Sequence, residues 1–408
     1  MEYLTILGST GSIGQKTVAV IQQHKDKFAA RALIANNNVT IMTEQCLMLS
    51  PQYVCMICEN SAKSLKNNLR IAGKSNIQVL SGMKEACALA ELNDVDMVMS
   101  AIVGIAGLTP TFSAIRAGKK ILLANKETLV VSGQFFMQEV CKYNARIIPV
   151  DSEHNAVFQS LPEICQKKIG QLSSLSEYGI SRIVLTASGG AFLGMSTEQL
   201  SMITPEQACV HPNWVMGRKI SVDSATMMNK GLEYIEARYL FNANPNEIQI
   251  LLHPQSIIHS MVHYIDGSIL AHLSLPDMTI PISYAMAYPN RIALHHLSSK
   301  EFNNDAYNTC FYNKLYCDEL NSLNYPCIKL AIDASNHSQS AMIILNAANE
   351  IAVESFLKKM ISFTDIPNII DHILNILHLN EPNAIDDVLY IDQRAKEITI
   401  QYIMNNIL

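Results

Sequence analysis

Tryptophan occurs once in 408 residues, glycine and proline fill only 17 and 14 positions, and charged side chains make up 16% of the chain. So little charge beside 49% hydrophobic residues excludes an intrinsically disordered chain, which cannot bury enough apolar surface to offset its ordering. Positive charge is not in excess. Lys and Arg number 30 against 36 Asp and Glu, for a net charge of −6 and a pI near 6.1. That excludes a general nucleic-acid binder, whose phosphate contacts need a basic surface. There is no uninterrupted run of the roughly 18 to 20 apolar residues that span a bilayer; residues 95–108 come nearest and are broken by Ser100, Gly104 and Gly107. The expectation is a soluble protein with no membrane partner. Met1-Glu2-Tyr3-Leu4-Thr5-Ile6-Leu7 has no basic stretch before its apolar run and no small-residue cleavage site, so it does not read as a signal peptide. The ten cysteines run from Cys46 to Cys327 without a dense framework, which fits reduced thiols and a cytoplasmic location. Cys55 and Cys58 have no second pair at zinc-finger spacing. Internal repeats, low-complexity tracts and a G-x-S-x-G elbow are also missing.

What is present is an alternation. Residues 3–7 form an apolar strand, Gly8 to Gly14 a glycine turn, and residues 15–24 an amphipathic helix, followed by the apolar run 30–35. This is a βαβ unit. Further strands are expected at 53–57, 95–103, 120–124 and 146–150, so residues 1–150 predict a Rossmann-like, doubly wound parallel sheet. The next region predicts a central α+β part with strands at 183–186, 248–252, 257–264 and 268–273, the last two joined by the hairpin signal Asp266-Gly267. A polar linker is expected over 289–312 and a C-terminal helical bundle over 313–408, with helical periods at 343–359, 366–377 and 392–403. The expected domains are thus 1–150, 151–288 with a lid near 188–217, and 313–408, in a chain of class α/β.

Four constellations carry chemistry. Gly8-x-x-Gly11-x-x-Gly14, between strand and helix, lets a pyrophosphate approach backbone N–H groups at a helix N-terminus; a purely structural turn is the other reading. Asn36-Asn37-Asn38 closes the second strand where an NAD site would place a carboxylate, which favours NADP. Asp151-Ser152-Glu153 follows a strand, and in extended backbone residues i and i+2 share a side. Both carboxylates could then face one hard cation such as Mg²⁺ or Mn²⁺, or they could form a solvated acidic turn. In and just beyond the stretch Ser221 to Glu236, Met228, Leu232, Ile235 and Tyr239 recur at helical spacing, with Ser224 as an N-cap candidate and Asn229 and Glu233 four apart on one face. A serine, an amide and Lys230 there make a phosphate cradle, with Glu233 completing a metal site; a capped surface helix would show the same spacing. Less specific are Asn125-Lys126-Glu127, the small-residue loop Ser188-Gly189-Gly190, and His211 to Gly217 around Trp214, which fits either a lid or an anchored loop. His253, His259 and His263 read as sheet histidines, the last two on one face.

Together these segments are specific. Gly8 to Gly14, Ala124 to Glu127, Pro149 to Asn155, His211 to Gly217, Ser221 to Glu233, His253 to His259 and Leu345 to Glu350 resemble, in order and across essentially the whole chain, the motifs of the 1-deoxy-D-xylulose 5-phosphate reductoisomerase family. The resemblance implies NADPH-dependent conversion of that sugar phosphate to 2-C-methyl-D-erythritol 4-phosphate in the non-mevalonate isoprenoid route, with Mg²⁺, Mn²⁺ or Co²⁺, in a homodimer. It implies NADPH contacts from Thr10, Gly11, Ser12, Ile13, Asn36, Asn37, Asn38, Asn125, Glu127 and Gly217, and metal ligation by Asp151, Glu153 and Glu233. Substrate would be met by Lys126, Ser152, Glu153 and Glu233 at its oxygenated end and by Ser188, His211, Ser224, Asn229 and Lys230 at its phosphate, with Lys126 and the three carboxylates as the catalytic group. Trp214 and Met216 would belong to the lid. Two departures stand out: Asn37 replaces a basic residue that many members carry, and Ala191 replaces the proline of Ser-Gly-Gly-Pro. The competing expectations are a metal-free NADP-dependent semialdehyde dehydrogenase and a dinucleotide-sensing protein without catalysis.

Overall fold

A computed structural model describes residues 1–212, 214, 216–294, 314–320 and 325–406. Most of the expected linker at 289–312, together with Asn213 and Val215, lies outside the described residues. The chain forms two compact units, Met1–Asn125 with Phe136–Gln171 and Asp277–Asn313, and Lys126–Phe135 with Leu172–Pro276 and Lys314–Leu408.

The first unit is built on β1 (Glu2–Leu7), β2 (Phe28–Ala35), β3 (Tyr53–Met56), β4 (Gln78–Ser81), β5 (Met97–Ser100), β6 (Lys120–Leu123) and β7 (Arg146–Pro149). These pair in parallel in the order β4-β3-β2-β1-β5-β6-β7. Their residues run apolar without alternation because both faces are covered: Leu4, Ile6 and Leu7 are buried, as are Val98 and Met99. The connecting helices are α1 (Ser12–Gln23), α2 (Val39–Leu49), α3 (Glu59–Ile71), α4 (Met83–Ala90), α5 (Leu108–Arg116) and α6 (Lys126–Lys142), whose residues up to Phe135 belong to the second unit, followed by α7 (Ser152–Ser160) and α8 (Glu163–Gln166). The strand order reverses between β1 and β5, and the glycine turn leaves β1 at that switch point, where open α/β sheets take their ligands. The strand expected over 95–103 ends at Ser100. The Asn125 amide takes the Ile102 and Gly104 carbonyls, and Gly104 turns into a left-handed conformation, so ladder pairing stops.

The second unit holds β8 (Ile180–Ala187), β9 (Ile248–Leu252), β10 (Ile258–Tyr264), β11 (Ile269–Leu273) and the short β12 (Asp318–Glu319), ordered β11-β10-β8-β9-β12. Only β8 and β9 are parallel. The β10–β11 hairpin forms at the expected dipeptide: Gly267 has φ +87° and the Asp266 carboxylate accepts the Ser268 N–H at 2.9 Å. Helices α9 (Thr197–Ser201), α10 (Pro205–Ala208), α11 (Arg218–Ala225) and α12 (Met228–Leu240) follow β8, and α13 (Thr279–Ala287) returns to the first unit. The C-terminal helices are α14 (Pro326–His337), for which no helical period was expected, and α15 (Gln339–Leu357), α16 (Asp365–Ile376) and α17 (Ile385–Asn406), which fall at the three expected periods. α15 is long and apolar enough to cross a membrane, yet most of it is buried within the protein. It packs on α16 and α17 as a core helix.

Candidate active site

In the first unit, steric demands explain the glycine turn. Gly8 adopts φ +87°, and a Cβ there would lie 2.4 Å from the Ala101 carbonyl; one on Gly14 would lie 2.3 Å from the Gly8 carbonyl. Strand and helix therefore approach more closely than any side chain permits. Gly11 is the N-cap of α1 and no side chain caps the helix, which leaves its N-terminal N–H groups and dipole turned to whatever lies beyond the turn. Thr10 and Ile13 are half-buried and Gly11 and Ser12 exposed. Asn36, Asn37 and Asn38 are exposed at the end of β2, and Asn38 also caps α2 by accepting the Ile41 N–H at 3.2 Å.

The acidic pair sits differently from its expected extended geometry. β7 ends at Pro149, and Asp151 is the N-cap of α7, its carboxylate accepting the Ser152 N–H at 2.9 Å. Glu153 lies in the first helical turn and accepts from the Ser152 hydroxyl at 2.6 Å. Helix capping outcompetes strand extension because it satisfies N–H groups that the strand end would leave without partners. The helix dipole favours both negative charges there.

In the second unit, α12 is buried along nearly its whole circumference, which excludes the solvated-helix alternative. Glu233, 1% exposed, receives the Lys126 ammonium at 2.7 Å, the Lys230 ammonium and the Asn229 amide. Lys126 also reaches Asn229 Oδ1 at 3.0 Å. Lys126, Asn229, Lys230 and Glu233 thus converge. Ser224 does not cap α12. It closes the last turn of α11, and Met227, with φ +63°, makes the corner between the helices.

A Cβ on Gly190 would lie 2.5 Å from the Ser224 carbonyl, so the small-residue loop is seated on this corner. Ser188 Oγ lies 3.1 Å from His211 Nε2, and the Trp214 N–H donates to His211 Nδ1 at 3.1 Å. Because Nδ1 accepts, neutral His211 carries its proton on Nε2 and donates it to Ser188. Burial pushes the His211 pKa down. Trp214 meets His259 edge-on with ring centroids 6.0 Å apart. A register irregularity between Ile258 and Ser260 breaks the strand alternation. His259 is therefore buried while His263 is half-buried, contrary to the shared face expected of them.

A buried ionic network was not anticipated. Lys219 lies 2.8 Å from Glu127 and 3.3 Å from Asp223, and the Asn349 amide donates to Asp223 at 2.8 Å. Burial opposes the Lys219 charge, but Asp223, Glu127 and Glu350 hold its pKa well above the ordinary lysine range. Burial also opposes the Glu127 charge, yet the Lys219 ammonium holds its carboxyl low, whereas for Asp223 burial prevails and the pKa rises. The i, i+4 spacing of Lys219 and Asp223 on α11 was the available signal; nothing local points to Asn349.

Family models match three stretches of the chain: 1-deoxy-D-xylulose 5-phosphate reductoisomerase over residues 4–133, its C-terminal domain over 147–241, and the DXP reductoisomerase C-terminal domain over 273–398. A curated 1-deoxy-D-xylulose 5-phosphate reductoisomerase of Blochmanniella pennsylvanica is 68% identical over 98% of this chain and 99% of its own. One from Photorhabdus laumondii is 53% identical, covering 99% of each chain. The chain belongs to the 1-deoxy-D-xylulose 5-phosphate reductoisomerase family. Among solved structures, a DOX-P reductoisomerase in complex with NADPH, fosmidomycin and magnesium matches at TM-score 0.90 and 39% identity, covering 99% of this chain and 98% of its own. The Zymomonas mobilis reductoisomerase in complex with NADPH matches at 0.86 and 36%, covering 98% of each. The activity is accordingly that of a reductoisomerase acting on 1-deoxy-D-xylulose 5-phosphate in isoprenoid precursor synthesis. The expectations of a semialdehyde dehydrogenase and of a non-catalytic sensor are overturned by that membership.

Proposed function

We propose that this reductoisomerase converts 1-deoxy-D-xylulose 5-phosphate to 2-C-methyl-D-erythritol 4-phosphate with NADPH and one divalent cation, Mg²⁺, Mn²⁺ or Co²⁺, whose ligands are Asp151, Glu153 and Glu233. The observation that carries the reading is Glu233, a buried carboxylate held between two lysines on a helix that also bears an amide. Its oxygens meet two ammonium groups and an amide, and carboxylate oxygens are the donors a hard cation requires. When bound, the metal supplies Lewis-acid stabilisation of the oxyanion charge that develops as the carbon skeleton rearranges, and NADPH supplies hydride to the resulting aldehyde.

The chain's own residues bind and orient. Thr10, Gly11, Ser12 and Ile13 present backbone N–H groups to the cofactor pyrophosphate, and Asn36, Asn37 and Asn38 meet the adenosine ribose phosphate without a repelling carboxylate. Asn125, Glu127 and Gly217 complete the cofactor contacts. Lys126, with Ser152, Glu153 and Glu233, holds the oxygenated end of the sugar. Ser188, His211, Ser224, Asn229 and Lys230 hold the phosphate. His211, donating to Ser188, leaves the serine O–H free to donate to a phosphate oxygen, and Lys230 supplies charge. Binding the remote phosphate fixes the reacting carbons, so that binding energy is used for orientation. Trp214 and Met216 belong to a lid over the substrate. The cofactor part is assigned to residues 1–150, which contain the whole parallel sheet, the catalytic part to 151–288 and the helical part to 313–408.

The partner is a second copy of the chain. β11 ends its sheet and exposes Ile269, Leu270 and Leu273, an edge that asks for cover. Light scattering should return twice the mass of 45.2 kDa, and a monomer would refute the homodimer. Among the described residues the cysteines are free thiols, which supports the cytoplasm. The deciding experiment follows NADPH absorbance with the sugar phosphate and Mg²⁺ or Mn²⁺, then with excess chelator. Substrate-dependent, chelator-sensitive oxidation is expected; oxidation insensitive to chelator would remove the metal from the mechanism.

A further inference from the structure

We infer that Lys219 is a positioning residue of the reaction, which clamps Glu127 in the first turn of α6 and thereby holds the adjacent Lys126 on Glu233 and Asn229. The inference rests on the proposed role of Lys126 at the substrate. Lys219 projects from α11, with its side chain 21% exposed, and its ammonium lies 2.8 Å from Glu127 and 3.3 Å from Asp223. Two carboxylates occupy it, so its work lies between helices. Asp223 is held in turn by Asn349 of α15 at 2.8 Å, which ties the clamp to the core helix of the C-terminal bundle.

The opposite end of the same helical segment is also secured. Gln339 donates to the Val130 carbonyl at 2.9 Å and accepts from the Tyr239 hydroxyl at 3.1 Å. The Tyr239 ring lies where a Cβ on Gly133 would be, 2.2 Å from its Cζ, at the residue whose non-helical φ/ψ kinks α6. Residues 126–133 are therefore braced at one end by an ion pair and at the other by an amide and a ring. The ion pair sits one residue from Lys126. Lys126 meets Glu233 at 2.7 Å; a drift of about 1 Å in the first turn would break that contact, and misplacement of that size costs on the order of 10²-fold in turnover.

The test compares Lys219→Met, Glu127→Gln, the double variant and Lys219→Arg at saturating NADPH, alongside wild type with and without chelator. Lys219→Met is expected to lower kcat by about 30- to 100-fold while the sugar-phosphate KM moves less than about threefold, because of the phosphate contacts only Ser224 shares α11 with Lys219 and the others lie on other elements. Lys219→Arg should recover most of the loss. The double variant should be no slower than Glu127→Gln alone, since Lys219 acts through Glu127; a packing role would multiply the two losses. If Lys219→Met fails to fold, that last comparison decides, because the double variant removes one charge of each sign. A kcat within threefold of wild type in Lys219→Met, or multiplying losses, overturns the inference. Absence of metal- and NADPH-dependent turnover in wild type would instead overturn the functional reading beneath it.

Discussion

Replacing Glu233 with Gln tests the charge balance of the site more directly than activity alone can. The Glu233 side chain is 1% exposed and lies between Lys126, 11% exposed, and Lys230, 4% exposed. Gln preserves volume and one acceptor but removes the negative charge that both ammonium groups meet. Removing one partner of a buried ion pair costs about 3–5 kcal/mol, most of it the burden of the charge left behind. At roughly 2–4 °C per kcal/mol for units of this size, Glu233→Gln should melt about 6–20 °C lower than wild type in chelator, by calorimetry or dye-monitored unfolding. Adding Lys230→Met to it should restore more than half of the loss, since one charge of each sign is then removed and only Lys126, the more exposed of the two lysines, stays charged. Metal supplies a second readout: at a hundredfold excess over its dissociation constant, a bound ion stabilises by about 2.7 kcal/mol. That shift should appear in wild type and vanish in the variant. A melting temperature within 2 °C of wild type, with the metal shift intact, would refute both the buried triad and the assignment of Glu233 as a ligand.

Other outcomes follow from the same geometry. Gly14→Ala places a methyl group 2.3 Å from the Gly8 carbonyl and should weaken NADPH binding at least about tenfold, read by fluorescence titration; unchanged affinity would mean the turn does not cradle the pyrophosphate. Asn37→Arg offers a cation to the 2′-phosphate and should lower the NADPH KM, and no change would place phosphate recognition elsewhere. Asp151→Asn and Glu153→Gln should fold and lose metal-dependent turnover, and unaltered turnover in either would remove that ligand. For His211 the folded pKa lies below the unfolded value, so the unfolded chain binds the proton more readily. Its stabilising contribution is present above about pH 6.5 and is lost as pH falls through the lowered folded value. The melting-temperature gap between wild type and His211→Gln should therefore narrow from pH 8 to pH 5; a constant gap would contradict a half-buried, neutral His211.

Features governed by neighbouring residues are legible in the amino-acid order. Glycines at 8, 11 and 14 between a strand and a helix specify a tight turn, because glycine alone accepts φ +87° at position 8 with ease and a Cβ at 8 or 14 would lie only 2.3–2.4 Å from a carbonyl oxygen. Asp266-Gly267 specifies a hairpin, and β/α alternation specifies the parallel sheet. Asn229 and Glu233, four apart on a helix, are bound to meet. Where two local rules compete, the expectation fails. Asp151 could extend a strand or cap a helix, and the cap prevails because α7 begins at the next residue. Ser224 could start a helix, but a left-handed Met227 moves that start past it.

Sequence by itself determined the fold class, the glycine turn and which side chains could bear the chemistry, since these depend on backbone sterics and on spacings of a few residues. Tertiary structure alone decided which of those side chains are buried and with whom they pair. Lys126 and Glu233 are 107 positions apart, Glu127 and Lys219 92, and Asp223 and Asn349 126. Pairings of that range depend on the packing of helices, and it is packing that withdraws water from these groups and makes each ion pair matter.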